Sequence, residues 1–339
     1  MTADPDRPTI LVTGGAGYIG SHAVLALDDA GWRVVVVDDF SNGSRDIVPP
    51  HVPLLEADIA DDAALAPFLA EHRVGAIMHF AGSIVVPESV EKPLEYYANN
   101  TVASHRLIGT AIAADVRHIL FSSTAAVYGS PERVPIDEDD PTNPINPYGA
   151  SKLMTEWMLR DCAAADRFNY GVLRYFNVAG ADPQGRSGQL GKGSTHLLKV
   201  ACEAAVGKRP WVDIFGTDYP TPDGSCIRDY VHVSDLAAAH VAALEALITQ
   251  PTESFVLNCG YGRGFSVLEM LDALDRVNGN PVPRRIGKRR AGDPPQLVAG
   301  NRRLVERLGW EPSNDAIEQI IGTALDWERR LAGKIQHEA

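Results

Sequence analysis

Long apolar runs are missing from this sequence. No stretch approaches the ~20 consecutive apolar residues of a membrane-crossing helix, so no membrane partner is expected. Cysteine is scarce: Cys162, Cys202, Cys226 and Cys259 lie far apart, with no Cys-x-x-Cys spacing. That excludes a zinc frame and a disulfide scaffold, and it suits small buried hydrophobes in a reducing compartment. Positive charge is also short. Lys and Arg total 31 against 44 Asp and Glu, a formal net charge of -13. Nucleic-acid binders carry a basic footprint, so no nucleic-acid partner is expected either. The one basic cluster, Arg284-Arg285-Ile286-Gly287-Lys288-Arg289-Arg290, reads as a solvated loop with one or two diphosphate ligands, and the acidic run Asp137-Glu138-Asp139-Asp140 as a solvated loop. Met1 to Pro8 is polar and unlike a secretory signal. A cytoplasmic protein without a metal site is the expectation.

What the chain does have is rhythm. Thr9–Thr13, Arg33–Asp38, Ala76–Phe80, His118–Ser122 and Val172–Phe176 are short β-branched, near-continuously apolar runs, separated by helical stretches. This predicts a parallel sheet covered on both faces, the doubly wound α/β class, with ligands at the carboxyl ends of the strands. After Phe176 the pattern breaks. Residues 177–195 read as a long loop, followed by a helix from Thr195 to about Val206 and helical patterns near 234–248, 266–276 and 315–331. The expected division is a Rossmann domain over residues 7–176 and a smaller α/β domain over 177–335, with part of about 226–262 rejoining the first.

Gly15-x-Gly17-x-x-Gly20 follows the first strand and opens a helix, the context that separates a dinucleotide fingerprint from chance. With Gly14, these glycines allow a tight turn and close approach to a pyrophosphate. The helix N-terminus then offers free N–H groups. Tyr18 and Ile19 pack the turn and are placed to touch the cofactor. Asp38 ends the second strand, where a carboxylate accepts both adenine-ribose hydroxyls and repels a 2′-phosphate, favouring NAD over NADP. Asp58 and Ile59 are placed to meet the adenine.

Tyr148 and Lys152 stand four residues apart in a segment opened by Asn146-Pro147, so a helix would put them on one face. A phenol with pKa ~10 is a poor base at neutral pH. A nearby ammonium and an oxidised nicotinamide both favour the phenolate, bringing it towards working pH. Tyr-x-x-x-Lys alone is common on helix surfaces. Its weight here comes from the fingerprint and from Thr124, which closes the His118 strand and could bond the oxygen that Tyr148 deprotonates.

These segments together resemble the UDP-glucose (UDP-galactose) 4-epimerase group of extended short-chain dehydrogenases/reductases, over about residues 9–330. Thr13–Ser21, Val37–Asn42, Phe80-Ala81-Gly82, Ser122–Gly129, Asn146–Gly149, Arg174–Asn177, Phe215–Thr221, Arg228–Val233 and Arg290–Pro294 carry the likeness. The resemblance implies a resident NAD contacted additionally by Asn42, Phe80, Ala81, Gly82, Asn99, Ser122 and Tyr175. It implies a UDP-hexose whose C4 is inverted through a transient 4-keto sugar. Tyr148 would take the O4 proton, Thr124 would orient O4, and Lys152 would depress the Tyr148 pKa and hold the nicotinamide ribose. Asn177, His196, Leu197, Phe215, Arg228, Arg290 and Asp293 would grip UDP. The family also implies a homodimer packed through about 94–113 and 148–166.

Two departures stand out. Ile84 occupies a position where many members have Lys, and Leu297 one where many have Tyr. A smaller wall at Leu297 would admit an N-acetyl group, leaving N-acetylhexosamine, pentose or uronic-acid substrates as alternatives. Sugar-nucleotide 4,6-dehydratases on this scaffold need an acid/base pair right after the threonine, where this chain has Ala125-Ala126. A non-catalytic NAD-binding regulator would be expected to lose the tyrosine or the lysine, and both are present.

Overall fold

The computed structural model describes residues 7–190, 194–290 and 293–337. The chain opens with β1 (Thr9–Thr13), α1 (Tyr18–Asp29), β2 (Val34–Asp38), β3 (Leu54–Glu56), α2 (Asp62–His72) and β4 (Val74–His79). Two short helices follow, α3 (Val86–Glu91) and α4 (Pro93–Tyr96), then a π-helical stretch over Tyr97–Val102 and α5 (Ala103–Ala113). β5 (His118–Thr124), α6 (Pro147–Ala164) and β6 (Asn169–Tyr175) complete the first half. The second half contains β7 (Asn177–Ala179), α7 (Leu197–Ala205), β8 (Val212–Phe215), β9 (Ile227–His232), α8 (Val233–Thr249), β10 (Phe255–Cys259), β11 (Gly264–Ser266) and α9 (Val267–Asn278). It ends with β12 (Arg284–Gly287), β13 (Gln296–Leu297), α10 (Arg302–Leu308) and α11 (Ile317–His337).

Seven parallel strands form the main sheet, in the order β10-β6-β5-β4-β1-β2-β3. Alternate residues of the central strand feed opposite cores. Ile10 and Val12 pack with α1 and α8, while Leu11 packs with α2 and α5. Each such Leu or Ile contributes about 1.5–3 kcal/mol by leaving water, which is why these strands read as unbroken apolar runs. The strand order reverses between β1 and β4, so the crevice at their carboxyl ends is the site the fold reserves for a ligand. No helix among the described residues is long and apolar enough to cross a membrane.

Beyond the main sheet, β9 pairs with β7, β11 and β13, while β8 pairs with β12. α7, α9 and α11 enclose a separate apolar core with β8 and β9. A capping box at Ser266 and Glu269 starts α9.

Several local expectations are corrected. The 177–195 segment is not all loop: Asn177–Ala179 pairs with Tyr230–His232, a partner too distant in sequence to leave a local signal. The helix expected from Thr195 starts at Leu197. The basic cluster is not a solvated loop. Arg284–Gly287 is a strand, Arg284 bridges Asp272 and Asp275, Arg285 meets Asp213 and Arg289 meets Asp218. Nor is the acidic run uniformly solvated: the Glu138 side chain is buried and accepts the Asn258 N–H at 2.7 Å.

Candidate active site

The glycine turn lies at the β1 end of the crevice. Gly14 has φ +67°, and a Cβ there would lie 2.8 Å from the Ala81 nitrogen. A Cβ on Gly20 would meet the Gly14 carbonyl oxygen at 2.1 Å. The turn and the Phe80-Ala81-Gly82 segment therefore approach each other across the switch point without side chains between them. Gly17 is the N-cap of α1; no side chain caps it, and its first turn holds no acid. That leaves a positive helix end facing the crevice, as phosphates require.

Asp38 is buried at the end of β2. Its Oδ2 accepts the Ala16 N–H at 2.9 Å and its Oδ1 the Phe40 N–H at 2.8 Å. Burial raises its pKa and the two backbone donors oppose that rise. Each oxygen keeps a free lone pair for a ribose hydroxyl. The cradle that extra Cβ atoms would fill, the uncapped helix and the oriented acid all fit NAD.

Not every residue expected at the cofactor presents its side chain. The Tyr18 hydroxyl donates to the Gly180 carbonyl at 2.7 Å and so ties α1 to the chain after β7. Ile19 packs against the core beside α1. The Ile59 side chain lies in the core with Leu11, Val35 and Val37. Asp58 is exposed and accepts the Ala60 N–H. Asn42 is exposed. Asn99 is exposed and bonds Ser83 Oγ at 2.8 Å, whereas its neighbour Asn100, which the sequence did not single out, is buried. Asn100 accepts the Ser83 N–H at 2.7 Å and donates to Ser151 Oγ at 3.1 Å, linking the loop after Gly82 to α6.

The reacting constellation assembles at the carboxyl end of β5. Asn146 caps α6 by accepting the Gly149 N–H at 2.9 Å, and Pro147 occupies the first turn. That cap sets Tyr148 and Lys152 on the buried face. Thr124 caps the short turn after β5 by accepting the Ala126 N–H at 3.1 Å, and it lies close enough to the Tyr148 phenol to favour its ionised form. Lys152 is 3% exposed; its Nζ donates to the Ser122 carbonyl at 3.1 Å and lies 4.9 Å over the Phe121 ring. Ser122 Oγ in turn donates to the Tyr175 hydroxyl at 2.9 Å.

The electrostatics refine the expectation for Tyr148. Burial raises its pKa, with Thr124 pulling the other way, so the protein groups around it do not by themselves produce the expected depression. Burial lowers Lys152 to about 8, opposed by Glu156. Desolvation acts on both groups against their charged forms.

A second cluster lies at β7, β9 and β13. Arg228 is buried, donating Nη2 to Asp293 Oδ1 at 2.9 Å and Nη1 to the Ile227 carbonyl at 2.8 Å. The Arg290 guanidinium stacks 3.8 Å above the Phe215 ring. Ala291 and Gly292, part of the Arg290–Pro294 motif, lie outside the described residues. Asn177 opens β7 in register with Tyr230. His196 is the N-cap of α7, just before Leu197, and accepts from the Gln189 amide at 3.0 Å; burial lowers its pKa. Leu297 pairs in register with Arg228, and Ile84 is exposed.

This geometry has known counterparts. Residues 10–260 match the NAD dependent epimerase/dehydratase family. A UDP-glucose 4-epimerase of Azospirillum brasilense is 59% identical over 324 residues, spanning 96% of this chain and 93% of that protein. The crystal structure of UDP-glucose 4-epimerase from Bifidobacterium longum, in complex with NAD+ and UDP, is 39% identical with a TM-score of 0.90, covering 95% of this chain and 98% of that one. The UDP-Glc/GlcNAc 4-epimerase of Campylobacter jejuni is 43% identical with a TM-score of 0.83, covering 96% of this chain and all of that one. Likeness of this extent, over nearly the whole length, makes the chain a member of the NAD dependent epimerase/dehydratase family.

Proposed function

We propose that this protein interconverts UDP-galactose and UDP-glucose by inverting C4 of the sugar, with NAD as a resident cofactor. The observation that carries the reading is the Tyr148 phenol buried beside Thr124 at the end of β5, with Lys152 buried one helical turn away. When bound, NAD accepts a hydride from carbon and returns it, so net redox change is zero. The protein's own part is proton transfer and positioning. Tyr148 takes the proton from O4 and gives it back after the 4-keto sugar has turned over. Thr124 orients O4. The Lys152 ammonium favours the phenolate, and the charge of an oxidised nicotinamide would add to it.

In this reading the main sheet serves the dinucleotide. Gly14, Gly17 and Gly20 admit the pyrophosphate, Asp38 takes the adenine ribose, and Phe80, Ala81, Gly82, Ser122 and Tyr175 line the nicotinamide end. Asn177, the backbone at His196 and Leu197, Phe215, Arg228, Arg290 and Asp293 hold UDP from the smaller lobe. Guanidinium groups suit a diphosphate because they meet its oxygens bidentately. The sugar is left free to rotate while its nucleotide stays gripped.

A 4,6-dehydratase reading lacks proton carriers, since Ala125 and Ala126 form the turn after Thr124. A second substrate reading, UDP-N-acetylhexosamine, is favoured by Leu297 beside Arg228, where a phenol would otherwise narrow the pocket. A homodimer is supported by exposed Val90, Leu94, Val102 and Trp157 around α3, α4 and α6. A cytoplasmic setting is supported by four free cysteines.

Pure protein incubated with UDP-galactose, without added cofactor, should yield UDP-glucose, and Tyr148→Phe should slow this ~10²–10⁴-fold. No turnover, together with no bound dinucleotide, overturns the proposal. Turnover of UDP-N-acetylgalactosamine in the same assay decides the second substrate reading.

A further inference from the structure

Behind the reacting constellation lies a charged cluster that the proposed reaction leaves unused. Glu156 stands one turn after Lys152 on α6 and is buried. Arg174 of β6 grips it in fork geometry, Nη2 to Oε2 at 2.6 Å and Nε to Oε1 at 3.1 Å. The Ser123 hydroxyl donates to the same carboxylate. Arg174 Nη1 donates to the Tyr128 hydroxyl at 2.9 Å, which donates on to Asn258 Oδ1 at 2.7 Å. One buried carboxylate thus joins α6 to Ser123, between Ser122 and Thr124, and through Arg174 to β6, the turn after Thr124 and β10.

A buried ion pair is weak evidence for stability, because desolvation offsets most of its attraction and packed hydrophobes often replace it without loss. The position of this one suggests a different use. Among the described residues no carboxylate forms an ion pair with Lys152. We propose that Glu156, held by Arg174, is a positioning residue that keeps Lys152 protonated beside Tyr148 and keeps α6 in register with the end of β5. This rests on the assignment of Tyr148 as the proton carrier.

Among the described residues, Glu156 is the carboxylate that acts on Lys152. From β5 it meets the Ser122 carbonyl and the Phe121 ring. From β4 it faces His79, which burial and Lys152 together drive down to about 3, so that imidazole is neutral. Tyr148 lies on its own helix and Tyr175 on β6; burial raises both phenols, and Tyr148 is the base whose ionised form Lys152 is there to support. Gly82 and Asn100 approach from the loop side without charge. Arg174 holds the Glu156 carboxylate in place, and of the two it is Glu156 that acts on Lys152. Burial has brought Lys152 down to about 8, and Glu156 is the group acting against that fall. Removing its charge would neutralise Lys152 near neutral pH and strip the phenolate of its cation.

The test is the tyrosinate absorbance of the NAD-loaded enzyme minus that of its Tyr148→Phe counterpart, titrated against pH. Glu156→Gln should raise the Tyr148 midpoint by about one pH unit. It should also move the ascending limb of the kcat profile on UDP-galactose the same way, with KM unchanged. Glu156→Asp, which keeps the charge, should restore both. If Glu156→Gln fails to fold with Arg174 unpaired, the double variant Glu156→Gln/Arg174→Met removes both charges and should still raise the midpoint, by a smaller amount. An unchanged midpoint in whichever variants fold, even with lowered melting temperature, makes the cluster structural only and overturns the proposal. If no variant nor the parent turns over UDP-galactose, the epimerase reading fails, while the absorbance titration still decides the coupling.

Discussion

Arg228 and Asp293 form an ion pair at 2.9 Å, joining β9 to the segment that follows the basic strand β12. Both were expected to grip the same nucleotide, one at its diphosphate and one at its ribose. Pairing preorganises them: the guanidinium is held in place between Asp293 and the Ile227 carbonyl. Arg228→Lys keeps the charge but loses the fork. It should raise KM for UDP-galactose roughly tenfold with a smaller change in kcat, about the worth of one charge-assisted hydrogen bond. Steady-state kinetics checks this. An equal fall in kcat at constant KM would place Arg228 elsewhere in the reaction.

Asp38 uses both carboxylate oxygens to hold the turn around Ala16 and Phe40, and the proposed role for it is to take the adenine ribose. Asp38→Asn gives up one backbone acceptor and the negative charge. The variant should lose bound NAD on gel filtration, binding it ~10–100-fold more weakly, and should discriminate less against NADP. Absorbance of the released dinucleotide reads the outcome. Full retention of NAD would remove Asp38 from the site.

Four buried imidazoles set an acid limit on stability. Burial lowers His22, His232 and His240 to about 4 and His79 to about 3. Their folded pKa values lie below the unfolded value near 6.5, so between these values the unfolded chain binds more protons. The stability they contribute is complete above about pH 6.5 and lost as pH falls towards 4. Asp229, raised to about 6 by burial, works in the opposite sense over part of the same window. Asp38 and Glu138 are raised likewise, but His118 and His196 are lowered too, so the imidazoles outweigh the raised carboxyls and the denaturant midpoint should fall from about pH 6.5 to about 4. A flat profile would show that these rings take up protons without unfolding.

Leu94 is 80% exposed, with Val90 and Val102 nearby on the same run of short helices and Trp157 on neighbouring α6. A second copy of this chain would cover them. Leu94→Glu should convert a dimer into a monomer by sedimentation velocity, and a parent that already sediments as a monomer excludes this surface as the interface.

Much of the nucleotide end was legible because its signal is local. The glycine turn, the strand before it, the helix after it and Asp38 all fall within thirty residues, and each is recognised by backbone geometry that a short segment determines alone. The same holds for Asn146, Pro147, Tyr148 and Lys152, where one cap fixes which face of α6 is buried. Glu138 and the arginines of β12 were misjudged for one common reason. Each is charged by type, but its partners are supplied by other elements of the fold. Asn100 could have been found from its place in a helix beside the Gly82 loop; its neighbour Asn99 drew attention instead.

By itself the amino-acid sequence determined the alternation of apolar strands with helices, the phosphate-binding turn and the spacing of the tyrosine and lysine. These follow from steric and periodic rules acting over a few residues. Only the tertiary structure decided how those groups are tuned: that Lys152 is dry, that Tyr148 meets Thr124, that Arg174 reaches across from β6 to Glu156, and that Arg228 is already paired. Charge in a protein is governed by what surrounds it, and those surroundings come together only when distant segments pack.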